Sequence, residues 1–220
     1  MSFPELLHAF VEGLKATTGL EFIAVVAGIA SVLFSRAEHI LVYPVGLINT
    51  IIYIYLSLRG QLLGEASVNV YYTLVSFWGW WLWTRRGANE KPSLQISFSG
   101  TKEWMKQLAF FGVFYVIIFF ALRYLKQDFA PGAIPWADAF ASATAYTAMW
   151  LMARKKVENW IWWIATDTAS IPLYFVKGYV FSSFQFLVFT ILAVMGLMTW
   201  WKRGREAQYS KEYAPFPATI

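Results

Sequence analysis

ENWIWWIATDTASIPLYFVKG, residues 158–178, reads as a hydrophobic span with a carboxylate, Asp167, near its centre. An ionisable group at bilayer depth costs about 2.5–3.5 kcal/mol on insertion scales, so it faces a cavity or a partner. Helical spacing places Trp163, Asp167, Ser170 and Tyr174 on one face of this span, at i−4, i, i+3 and i+7. Pro172, five residues after Asp167, is expected to break or kink the helix and free backbone carbonyls there.

The rest of the chain is built to shelter such a group. Of its 220 residues 58% are hydrophobic and 14% charged, where a soluble domain of this length carries about 25% charged. Several apolar runs reach the roughly 18 residues needed to cross hydrocarbon. The fold class is therefore all-α integral membrane. There is no cysteine, which removes disulfide and thiolate chemistry. The net charge of +5 comes from basic residues flanking apolar spans, so it points to membrane topology and not to a nucleic-acid partner. No cleavable leader is expected, because the first residues lack a basic region and Glu5 and Glu12 interrupt any apolar core.

Residues 1–18 are expected to form an amphipathic helix lying in the interface, with Phe3, Leu6, Leu7, Phe10, Val11 and Leu14 on one face; a cap on the helix bundle is the alternative. Seven spans follow, at 19–34, 40–57, 65–84, 107–125, 136–153, 159–176 and 179–201. The polar connector 85–104 is expected to hold a short strand or interfacial turn around 94–98. The trailing segment 205–220 is expected to be a poorly ordered tail. Thirteen Lys and Arg residues fall on the side reached after spans one, three, five and seven, and five on the other. This asymmetry places the amino terminus outside and the carboxyl terminus in the cytoplasm.

The two ends of the chain repeat each other. Asn49, Arg59 and Gly60 match Asp167, Lys177 and Gly178 at an offset of 118, and Arg36 matches Arg154. WTRRG at 83–87 matches WWKRG at 200–204, offset by 117. Spans one to three (within 19–104) therefore correspond to spans five to seven (within 128–204). The fourth span (within 105–127) restores the direction, so seven spans form a 3+1+3 arrangement of parallel repeats. Secondary transporters built from parallel repeats place their substrate at mid-depth between them.

The candidate substrate-binding residues are Asn49 and Tyr53 on span two, Asn69 and Tyr72 on span three, Trp163, Asp167, Ser170 and Tyr174 on span six, and Gln185 on span seven. Convergence on one wet cavity would satisfy them all. Thr73, Ser76 and Thr190 read instead as helix–helix glue. Trp78, Trp163 and Tyr174 are expected to line the pocket, and the remaining tryptophans near span ends to form an interfacial aromatic belt. A flat cationic ligand would gain about 1–2 kcal/mol from each ring face, and charge pairing from Asp167. Lys177 reads as an anchor at the outer mouth that disfavours cations. His8 and His39 lie near span ends, and no metal cluster, nucleophile elbow or phosphate-binding glycine loop occurs. The chain is thus expected not to be an enzyme and to need no cofactor. A retinal-protein reading lacks a lysine within the seventh span.

Glu158-Asn-Trp, Asp167, Ser170, Leu173-Tyr174, Lys177-Gly178, Gly196 and Trp200, with the segments 49–60 and 72–83, resemble the PnuC-type nicotinamide riboside transporters of bacteria. The resemblance implies a SWEET-like fold, a homotrimer in the inner membrane, and facilitated diffusion of nicotinamide riboside. Uptake would be made net-inward by a cytoplasmic riboside kinase. A thiamine or sugar carrier on the same scaffold, or a seven-span receptor without translocation, is the alternative.

Overall fold

The computed structural model describes residues 3–60, 63–86, 93–129 and 132–212. Among them the chain forms eight helices: α1 (Phe3–Ala16), α2 (Gly19–Ala37), α3 (Val42–Arg59), α4 (Leu63–Thr84), α5 (Thr101–Phe129), α6 (Pro135–Ala153), α7 (Asn159–Val176) and α8 (Val180–Glu212). Helices α2 to α8 follow the order and approximate places of the predicted spans, with α5 starting at Thr101 and α8 running past Trp201. The bundle is inside out relative to a soluble protein, since large apolar side chains such as Phe22, Ile51, Leu74, Ile117 and Ile191 point outward. Four helices, α2, α3, α5 and α8, are long and apolar enough to cross a bilayer on length and composition alone. The chain is an all-α membrane protein. Helices α4, α6 and α7 carry more polar residues, and α6 is the most enclosed, with eleven of its 19 residues buried.

Packing follows chain order within two groups. Helices α2, α3 and α4 pack in series, as do α6, α7 and α8; the groups meet where α2 touches α8 and α4 touches α6. Helix α5 lies on α6, and α1 on α8. Phe10 of α1 packs against Phe181 and Phe184, ring centroids 5.5 and 5.2 Å apart, while Leu7, Val11 and Leu14 stay exposed.

Residues 117 positions apart occupy matching places at the basic end of the bundle. Helices α2 and α6 both end in a left-handed residue, Glu38 (φ 61°) and Lys155 (φ 52°), and these two pair with each other at 2.7 Å. The Trp83 indole N–H donates to the Ala153 carbonyl (3.1 Å), and that of Trp200 donates to the Arg36 carbonyl (3.2 Å). Tyr43 meets Trp83 edge-on at 5.2 Å, as Trp160 meets Trp200 at 5.7 Å. Gly79 leaves room for the Tyr43 ring and Gly196 for the Trp160 ring; a Cβ at either would come within 2.6 Å of ring carbons.

Several expectations are corrected. Helices α3 and α7 begin and end 117 apart, so the counterpart of Asp167 is Thr50, and that of Asn49 is Thr166. The offset of 118 came from two turns that differ: Gly178 has φ 85° and Gly60 φ −80°. Helix α7 runs unbroken through Pro172. The proline sits in its last turns, and the Ser183 hydroxyl of α8 donates to the adjacent Ile171 carbonyl at 2.8 Å; neighbouring helices make such prolines tolerable in membranes. The last helix does not stop at Trp201 but continues to Glu212, because the charged residues that end hydrophobicity are good helix formers. Residues 213–220 lie outside the described residues.

The connector holds no strand among its described residues, only isolated bridges such as the one between Ser97 and Lys156. It is nonetheless tightly bound to the α6–α7 turn. Ser99 donates from its backbone N–H and its hydroxyl to the two Glu158 oxygens, both at 2.8 Å. Gln107 is fully buried; its amide donates to Ser99 Oγ at 2.8 Å, and its carbonyl accepts the Trp162 indole N–H at 2.9 Å. Gln107→Leu strands that indole donor, so unfolding stability is expected to fall by about 1–3 kcal/mol, as read by thermal unfolding in detergent.

Candidate functional site

Between the two helix groups lies a cavity of about 800 Å³. Its wall includes all nine residues expected from the sequence: Asn49 and Tyr53 from α3, Asn69 and Tyr72 from α4, Trp163, Asp167, Ser170 and Tyr174 from α7, and Gln185 from α8. It extends from Glu21, Lys177 and Tyr179 at one end to Ser35, Val42 and Trp160 near the basic end. Beyond Trp160 the buried indoles of Trp83 and Trp200 fill the bundle.

Local structure decides which polar atoms remain for a ligand. Asn49 donates its amide to the Ala24 carbonyl at 2.7 Å, in space kept by Gly28, so the side chain is held with its carbonyl oxygen unclaimed among the described residues. Asn69 donates to the Glu65 carbonyl at 3.0 Å, and Ser170 to the Thr166 carbonyl at 2.8 Å. Tyr53 of α3 and Gln185 of α8 face the cavity from the two groups. The Tyr72 ring lies 6.1 Å from Trp163 and 6.4 Å from Tyr146. Tyr71 stacks on Tyr146 at 4.1 Å and donates to its carbonyl at 3.0 Å, which fixes this aromatic wall. Asp167 is 5% exposed, and no donor or cation among the described residues bonds to it.

Thr73 donates to Thr50 at 2.9 Å between α4 and α3, the glue role expected for it. Trp78 faces outward, exposed, and does not line the cavity. Nor do the other tryptophans all form a belt: Trp81 and Trp201 are exposed, but Trp83, Trp160, Trp162 and Trp200 are buried in helix contacts. Lys177 is not a free cation at a mouth. Its ammonium pairs with Asp138 of α6 at 2.6 Å and sits 5.5 Å over the Tyr174 ring, so its charge is largely cancelled. His39 accepts the Leu41 backbone N–H through Nδ1 at 3.3 Å.

Sequence reasoning missed Trp160, Tyr146, Glu65 and Asp138 in the wall. Trp160 precedes Trp163 by one helical turn, which was a usable signal. Tyr146 stands alone in an alanine-rich helix, and Asp138 is recognisable only through a partner 39 residues away.

Comparison with known proteins agrees with this fold. The model of the nicotinamide mononucleotide transporter family matches residues 18–202. The riboflavin/roseoflavin transporter RibM of Streptomyces davaonensis is 31% identical over 67% of this chain and 68% of its own. The nicotinamide riboside transporter PnuC of Escherichia coli is 25% identical over 85% of this chain and 87% of its own. The crystal structure of the vitamin B3 transporter PnuC superposes with a TM-score of 0.70 over 91% of this chain and 90% of that one, at 22% identity. With helices on this plan around a largely apolar cavity set with a few polar side chains, the chain belongs to the nicotinamide mononucleotide transporter family, the PnuC-type membrane transporters, and is not an enzyme.

Proposed function

We propose that the protein carries nicotinamide riboside across the bacterial inner membrane by facilitated diffusion. The observation that carries this reading is a cavity whose wall joins aromatic faces, an unpaired carboxylate and the unclaimed carbonyl of Asn49. Trp163, Tyr72 and Tyr174 offer rings for a flat pyridinium, Asn49 its free carbonyl for the ligand amide, and Asn69 and Ser170 polar atoms for ribose hydroxyls. Sequence likeness to PnuC supports the substrate.

In this reading the chain is a seven-span, SWEET-like 3+1+3 bundle. Residues 19–104 and 128–204 are the repeats, residues 105–127 the linker span, residues 1–18 an interfacial helix and residues 205–220 a cytoplasmic tail. The matching contacts at an offset of 117 support parallel repeats, between which a midplane site opens alternately to each side. The amino terminus is outside. A homotrimer and a cytoplasmic riboside kinase that traps the substrate complete the proposal. No ion coupling or cofactor is invoked.

Tracer uptake into proteoliposomes tests it. Time-dependent accumulation that stops at equal concentrations is expected for nicotinamide riboside; binding without uptake would indicate a receptor. The RibM relationship supplies a specific second reading, a riboflavin-type substrate on the same scaffold. Competition by riboflavin and thiamine in the same assay separates the substrates. Asn49→Ala is expected to raise the half-saturating concentration about tenfold, roughly the worth of one hydrogen bond to a charged or strongly polar ligand group. An unchanged value removes Asn49 from the pocket.

A further inference from the structure

We propose that Asp167 is the residue by which the cavity selects a positively charged ring over a neutral ring of the same shape. This rests on the substrate reading above and assigns the carboxylate one role out of two, charge balance instead of hydroxyl recognition.

The surroundings of Asp167 argue for it. Donors that a buried carboxylate would ordinarily recruit from its own helix are committed elsewhere: Ser170 to the Thr166 carbonyl (2.8 Å), and Thr166 to the Trp162 carbonyl (2.9 Å). The only ammonium or guanidinium among the described lining residues is Lys177. It lies ten residues along α7, about 15 Å at 1.5 Å per residue, and is held by Asp138. The other carboxylates of the wall are better served. Asp138 takes Lys177 on one oxygen and the Ile134 backbone N–H on the other, at 2.6 Å each, and Glu65 lies within the field of Lys177. Glu21 stands at the outer end of α2. Among the described wall carboxylates, Asp167 alone is both enclosed and without a counter-charge from a described residue.

A lone carboxylate so placed is costly unless a cation arrives. Around it stand ring faces: Trp163 one turn earlier on α7, and Tyr72 opposite on α4. Aromatic faces plus a desolvated carboxylate constitute a site for an organic cation. A hydroxyl-reading carboxylate would need none of this isolation.

Nicotinamide riboside and its dihydro form share the amide and the ribose and differ in the charge of the ring, which makes them the discriminating probes. Wild-type protein in detergent is expected to bind the pyridinium form at least tenfold more tightly than the neutral form. Asp167→Asn keeps an acceptor oxygen and the side-chain size but removes the charge. It is expected to weaken the pyridinium form tenfold or more and to leave the dihydro form within about threefold. Asp167→Glu is expected to keep the preference, and the melting temperature of each variant reports folding. Equal losses for both forms in Asp167→Asn, or no loss in either, overturn the selectivity role while leaving the substrate reading intact. Wild-type protein that binds neither form overturns both.

Discussion

Trp200→Ala is expected to lower unfolding stability by about 3–5 kcal/mol, the range for deleting a buried tryptophan. The indole is 0% exposed. It packs edge-on against Trp160, lies 6.2 Å from Trp83, and donates to the carbonyls that end α2. Removing it therefore opens a cavity between the helix groups and leaves the end of α2 without its donor. Lipid cannot refill a hole this deep in the bundle. Trp83→Ala should behave alike, because it makes the same bond to the end of α6. Trp201→Ala, one position on and exposed, should cost less than 1 kcal/mol. Thermal or denaturant unfolding of the three variants in one detergent provides the measurement. A Trp201 loss as large as that of Trp200 would refute the reciprocal-cap account.

The second large effect is expected from Lys177→Met. The pair with Asp138 is mostly enclosed, with side chains 17% and 19% exposed. Cutting one member leaves the other charged and poorly solvated. Fully buried pairs lose about 3–5 kcal/mol this way; the residual exposure here lowers the expectation to about 2–4 kcal/mol. The double variant Lys177→Met/Asp138→Asn removes the stranded charge and is expected to recover at least half of the loss. Equal losses in the single and double variants would show that Lys177 acts through its packing over Tyr174 instead. The single variant also makes the cavity wall more negative, and so should not weaken a cationic ligand.

The helices were readable because hydrocarbon imposes one length and one composition on whatever crosses it. The cavity lining was readable for the same reason: Asn49, Asp167 and Gln185 are expensive where they stand, and an expensive residue advertises a cavity. What escaped reading was pairing between distant positions. Tryptophan at a span end has the same composition signal whether it faces outward, as Trp201 does, or plugs the neighbouring helix group, as Trp200 does. Lys177 looked unattached because Asp138 belongs to another helix. The register slipped by one because a basic residue followed by glycine makes two different turns, at Gly60 and Gly178. Pro172 looked like a break because the support from α8 is invisible in a single segment.

The connector before α5 is bonded to the α6–α7 turn. Ser97 and Ser99 hold the α6–α7 turn, while Glu103 takes Lys156 at 2.8 Å and Arg154 at 3.6 Å. No such clamp among the described residues grips the α2–α3 turn, whose Glu38 instead reaches across to Lys155 and Arg203. The two halves are thus alike in build but unequal in mass and bracing. If the proposed rocking cycle operates, this uneven bracing makes α5 to α8 the steadier half and α2 to α4 the half that swings, turning about the Glu38–Lys155 contact.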